Sequence, residues 1–80
     1  MLTSGQIRAA RGLVDWSQQQ LADITKLSVQ TIKRMEGKRG PEGSTAANVD
    51  AVQRALERAG IVFLEPKSIK DGGAGVRLKK

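Results

Sequence analysis

Ser17-Gln18-Gln19-Gln20-Leu21-Ala22-Asp23-Ile24-Thr25-Lys26-Leu27-Ser28-Val29-Gln30-Thr31-Ile32-Lys33-Arg34-Met35 is the stretch whose reading decides the fold of this chain. It reads as two short helices joined by a tight turn. Ser17 is a good N-cap for the first, and Gln20 three residues later completes a capping box, in which each side chain satisfies a backbone N–H of the other residue. Leu21 and Ala22 face inward and Asp23 outward. Ser28 caps the second helix, where Ile32 and Met35 recur at i, i+3 as a buried stripe. Val29, Gln30, Lys33 and Arg34 are spaced to share one exposed face. Gly37 is placed to end this helix in a left-handed conformation.

Working outward, Thr3 or Ser4 caps an earlier helix, with Gln6 and Ile7 in its opening turns. Ile7, Ala10 and Leu13 or Val14 recur at helical spacing, and Arg8 and Arg11 fall on the other side. Gly12 weakens that helix by up to about 1 kcal/mol relative to alanine, and the helix ends near Val14. Trp16, the one tryptophan, packs the first helix against the second, with stacking on nucleic acid as the other reading.

Lys38-Arg39-Gly40-Pro41-Glu42-Gly43-Ser44 is a loop by composition. Thr45 or Ser44 then begins the longest helix. Its apolar stripe is Ala46, Val49, Val52, Ala55 or Leu56, and Ala59, with Asp50, Gln53, Arg54, Glu57 and Arg58 solvated. Gly60 ends it. Beyond this point the period changes: Ile61-Val62-Phe63-Leu64 is a β-prone run between Gly60 and Pro66. Gly72-Gly73-Ala74-Gly75 reads as a flexible turn and Val76-Arg77-Leu78 as a second strand. The two strands pair with each other as a hairpin, or one of them pairs with a second chain. There is no internal repeat and no second domain.

Bulk properties bound the chemistry. The chain has 80 residues, a net charge of +6 and a pI near 10.4, with no cysteine and no histidine. Disulfides, thiolate or imidazole metal sites and histidine acid/base catalysis are excluded. No nucleophile–base pair is visible, so the chain reads as a non-enzyme without cofactor or metal. The positive charge favours a polyanionic partner and is grouped. Lys33, Arg34, Lys38 and Arg39 stand against Glu36, and Lys67, Lys70, Arg77, Lys79 and Lys80 against Asp71. Between them, Gly40 to Pro66 is net negative. Lys79 and Lys80 read as a solubilising tail with a minor part in nonspecific attraction. Glu36 and Asp23 read as surface or interhelix charge partners. No apolar run approaches the roughly 18 residues that span a bilayer, and the N-terminus lacks a signal-peptide pattern. The expectation is a soluble, cytoplasmic, nucleoid-associated protein that does not engage membranes.

The central pair of helices has the local form of a helix-turn-helix, whose second helix enters the DNA major groove. Ser17-Gln18-x-x-Leu21-Ala22, Ser28-x-x-Thr31-Ile32-x-Arg34-Met35-Glu36 and Gly37-Lys38-Arg39-x-Pro41 together resemble the Cro/CI-type helix-turn-helix (XRE) family of bacterial and phage regulators. Ile7-Arg8-Ala9-Ala10-Arg11 resembles its first helix. The match covers about residues 5 to 59, and the tail is similar to that of small stand-alone proteobacterial members. The resemblance implies a mainly α, four- to five-helix lambda-repressor-like domain over residues 1–60. Residues 61–80 add a C-terminal β-strand or hairpin and a basic tail. Two positions depart from the family pattern. Lys26 stands where glycine is usual in the turn, so it must adopt a positive φ at some cost or reshape the turn. Gly37 arrives one residue earlier than is common.

The resemblance also implies that the helix after Ser28 lies in the major groove. Gln30 then offers a bidentate amide to adenine, Arg34 a fork to guanine and Val29 contact to a thymine methyl, with Lys33 on the same face. Gln18 matches the family position that bonds a phosphate. Ser28, Thr31, Lys38 and Arg39 complete the candidate contacts, and phosphate contacts position the protein without reading sequence. A single module buries only about 600–1,000 Å², which suggests a homodimer on a palindromic site with half-sites about 34 Å apart or a multiple of that. The surface of the longest helix and the Ile61–Leu64 strand are the elements available for dimerisation. The expected function is a sequence-specific double-stranded DNA-binding transcriptional regulator, a repressor. The alternative is an antitoxin or antiactivator that uses the same fold to hold a toxin or activator by β-addition at Ile61–Phe63.

Overall fold

The computed structural model describes residues 2–64 and 75–79. Four α-helices are followed by one β-hairpin: α1 (Ser4–Leu13), α2 (Gln18–Thr25), α3 (Val29–Met35), a 3₁₀ turn (Gly40–Gly43), α4 (Ala46–Arg58), β1 (Ile61–Leu64) and β2 (Gly75–Leu78). The mainly α reading therefore holds, and the two strands pair with each other. Their register is antiparallel, with Ile61 opposite Leu78, Val62 opposite Arg77, Phe63 opposite Val76 and Leu64 opposite Gly75. The glycine-rich turn expected at Gly72–Ala74 and the tail residue Lys80 lie outside the described residues, while Gly75 belongs to β2.

Each helix starts on a side-chain cap that releases its first turn from water. Thr3 with Gln6, and Ser17 with Gln20, form full capping boxes, while Ser28 accepts from Thr31 N–H and Thr45 from Asn48 N–H. The ends are less conventional. After α1, Asp15 sits at φ 61°, and after α2, Lys26 sits at φ 62°. Both helices close with the same two bonds: Trp16 N–H to Arg11 O with Asp15 N–H to Gly12 O, and Leu27 N–H to Ala22 O with Lys26 N–H to Asp23 O. This pairing satisfies the last orphan carbonyls, and the residue after the left-handed one folds back apolar side. Trp16 and Leu27 do so, packing against the core. Lys26 thus takes the strained conformation, and the turn keeps its ordinary shape.

Gly37 differs from its expected role. α3 ends on Glu36, whose φ of −89° is right-handed, and the left-handed glycine after it is Gly40 at φ 65°. At Gly40 a Cβ would come within 3.7 Å of the Ser4 backbone nitrogen, so the chain turns where it passes the start of α1. The expected loop accordingly contains a 3₁₀ turn with Pro41 buried.

Ile7, Leu21, Ile32, Met35, Leu56 and Val52 are the largest fully buried side chains, with Leu2, Ala10, Ala22, Val49, Ala55 and Ile61 completing the core. Of the open alternatives, Val14 rather than Leu13 packs inward, and both Ala55 and Leu56 are buried. Ala46, expected in the stripe of α4, is exposed at the first residue of that helix. The hairpin lies on α1 and α4 through Ile61, Phe63 and Val76. Gln6, buried in α1, fixes its distal end. Its Nε2 donates to Leu64 O at 3.1 Å and Gly75 O at 3.0 Å, while its Oε1 accepts from Thr3 N–H at 2.9 Å. No helix among the described residues is long and apolar enough to cross a membrane.

Candidate nucleic-acid interface

Two residues anchor α3 and leave the rest of it outside. Ile32 and Met35 have no exposed surface, whereas Ser28, Gln30, Lys33 and Arg34 are exposed. Gln30, Lys33 and Arg34 make no side-chain hydrogen bond or ion pair among the described residues, so their amide and cationic groups face solvent without protein partners. Val29 is the exception to the expected shared face. It is half-buried and packs against the core, because it stands at the boundary between the outer face and the Ile32 stripe. Ser28 and Thr31 hydroxyls lie 2.9 Å apart and are occupied with each other, in addition to the Ser28 cap on Thr31 N–H.

A buried ion pair holds the far end of this helix. Glu36, 5% exposed, accepts from Arg11 Nε at 2.9 Å and from Arg11 Nη2 at 3.0 Å in a bidentate fork. Gln18 Nε2 adds a third bond at 3.1 Å. Arg11 Nη1 also reaches Trp16 O at 3.0 Å, and Arg8 Nη1 donates to the Glu36 carbonyl. The hydrogen bonds that Arg11 donates to the Glu36 carboxylate hold the Arg11 pKa above its ordinary value, against the opposing effect of burial. One carboxylate therefore ties the end of α3 to the last turn of α1 and the first residue of α2. Such geometry is the condition for a buried pair to be tolerated, since desolvation is repaid only when every lone pair is well used.

The remaining expected contacts flank α3. Gln18 is half-buried at the start of α2, and Lys38 and Arg39 are exposed just past the end of α3. With Glu42 and Gly43 the latter two line an open depression of about 410 Å³. Glu36 is an interhelix partner, as read from sequence, but it is buried rather than on the surface. Trp16 packs against the core, which favours the packing reading over stacking on nucleic acid. The sequence reading missed Arg8, Arg11 and Gln6 as structural ligands. Two arginines on one side of an amphipathic helix look solvated until the partner, 25 or 28 residues away, is placed beside them.

A family model described as helix-turn-helix matches residues 7–56, from the second turn of α1 almost to the end of α4. No curated protein matches the chain.

Proposed function

The chain belongs to the Cro/CI-type helix-turn-helix (XRE) family of DNA-binding regulators, and on that premise we propose that it is a sequence-specific repressor. In this reading it acts as a homodimer on a palindromic operator in the cytoplasm. The observation that carries it is the outer face of α3. Among the described residues Gln30, Lys33 and Arg34 stand unpartnered, on a helix whose opposite face is fully buried. In the major groove Gln30 presents paired donor and acceptor to adenine, and Arg34 a two-pronged donor to guanine. Lys33 adds charge, and the exposed edge of Val29 lies beside them for a thymine methyl.

Phosphate contacts set the register. Gln18 at the start of α2, Ser28 and Thr31 at the start of α3, and Lys38 and Arg39 beyond its end flank the reading face on both sides. A repressor needs no more than occupancy of an operator, and one module of this size reads too short a site to be selective alone. Dimerisation through β1 supplies the second half-site. β1 carries no charged side chain, whereas β2 carries Arg77, and like charges brought opposite each other across a two-fold axis oppose pairing. The antitoxin or antiactivator alternative uses the same β1 edge for a strand from another protein.

Selection from a random duplex library with the purified protein tests the reading. Recovery of an inverted repeat, with half-site centres about one helical turn or a multiple apart, is the expected outcome. Recovery of no shared sequence contradicts it.

A further inference from the structure

We propose that Glu36 is a positioning residue for DNA binding: its carboxylate orients the Gln18 amide toward a backbone phosphate. The inference rests on the DNA-binding reading above and adds to it a residue that touches no DNA. Glu36 lies at the end of α3 and Gln18 at the start of α2, yet Gln18 Nε2 donates to Glu36 Oε1 at 3.1 Å. A carboxylate only accepts. It therefore draws the Nε2 side of the Gln18 amide, not the Oε1 side, and holds it.

Nε2 carries two N–H groups. Glu36 takes one, and the other has no partner among the described residues. Gln18 is half-buried, so this amide stands at the solvent boundary. Beside it, Gln20 N–H is taken by the Ser17 side chain, while the first two amides of α2 remain orphan donors of the helix terminus. A phosphate oxygen arriving here meets a side-chain N–H already held in place, and the ordering cost of a long polar side chain has been met before binding. Arg11 in turn fixes the carboxylate from α1 with its two-pronged contact. The Arg11–Glu36–Gln18 chain thus runs from the core-facing helix to the surface that meets the DNA backbone.

The test is a double-mutant cycle on the full chain. A fluorescein-labelled random-sequence duplex is the probe, because phosphate contacts are independent of sequence. Wild type, Gln18→Ala, Glu36→Asp and the double variant are titrated by anisotropy at low salt, with thermal denaturation reporting the fold of each. Glu36→Asp keeps the charge near DNA but withdraws the carboxylate by one methylene from Gln18, and from Arg11 as well, a loss that thermal denaturation reports and that the Gln18→Ala background shares. The expected result is that Glu36→Asp weakens duplex binding about three- to ten-fold when Gln18 is present, and less than about two-fold in the Gln18→Ala background. Equal weakening in both backgrounds overturns the proposal, because Glu36 then acts through the fold alone. If Glu36→Asp does not fold, Arg11→Lys, which leaves the carboxylate paired but less firmly held, replaces it with the same dependence on Gln18 expected. Absence of duplex binding by folded wild type overturns the DNA-binding reading as well as this one.

Discussion

Arg11 and Glu36, one on α1 and the other at the end of α3, face each other as a bidentate ion pair in which the carboxylate side chain is 3% exposed and the guanidinium 22%. Removing the arginine leaves a carboxylate in the protein with only Gln18 to satisfy it. Breaking such a pair from one side costs about 3–5 kcal/mol. Arg11→Met is expected at the lower end, because the arginine is partly solvated, and thermal or urea denaturation reads it directly. The pH dependence follows in sign. A cation whose folded pKa is raised contributes stability that is fully present below its unfolded pKa and lost only as pH rises through the folded value. For Arg11 that window is strongly alkaline, so its contribution is flat across neutral pH.

Gln6 separates a local from a long-range role. As the third residue of a capping box it tolerates Glu, which serves that motif equally well. As the donor to Leu64 O and Gly75 O it does not, since a carboxylate has no N–H and would face two carbonyl oxygens. Gln6→Glu is expected to destabilise the fold by about 2 kcal/mol or more. A melting temperature unchanged by that substitution would mean that the hairpin is held by its apolar side chains alone.

Lys26 offers the opposite effect. It is exposed and left-handed at φ 62°, a conformation that costs an L-residue roughly 1–2 kcal/mol. Lys26→Gly relieves that strain and loses no buried contact, while the unfolded chain gains freedom. The net expectation is a stabilisation of about 0.5–1 kcal/mol, seen as a higher denaturation midpoint with an unchanged denaturant slope.

The β1 edge is tested without removing it. Deleting residues 61 to 80 would strip Ile61 from the core and the two carbonyls from Gln6, so truncation mixes stability with assembly. Val62 lies on the face of the hairpin opposite Ile61 and Phe63, across from Arg77. Val62→Glu faces Arg77 with an opposite charge inside the hairpin but brings like charges together near a two-fold axis, a destabilisation of about 0.2–1 kcal/mol per facing pair. Sedimentation equilibrium is expected to show a dimer for wild type and a several-fold weaker one for the variant, with thermal stability retained.

Much of the helical core was legible because its determinants are local. Ser17 with Gln20, and Ser28, mark the starts of α2 and α3 by their caps, and Ile32 with Met35 give the buried side of α3 by period alone. The strain at Lys26 was legible only as one of two alternatives, because the family resemblance puts a glycine there, and the structure takes the positive φ rather than a reshaped turn. What escaped was set by distance along the chain. Glu36 looks like one more surface carboxylate until Arg11 folds beside it, and Gln6 looks like a capping residue until Gly75 arrives. Gly37 was a reasonable helix stop by position, but packing of the loop on Ser4 moved the left-handed glycine to Gly40. Val29 was placed outward by spacing, and the neighbouring core drew it half inside.

The most direct measurement is the affinity of the Gln30→Ala/Arg34→Ala double variant for the duplex recovered by selection, set against a random duplex at the same salt concentration. Each lost bidentate contact is expected to cost about 1–3 kcal/mol on the selected site, while random-duplex binding and the melting temperature stay within two-fold and experimental scatter. Selected-site affinity that survives the double substitution in a folded protein would contradict the placement of α3 in the major groove.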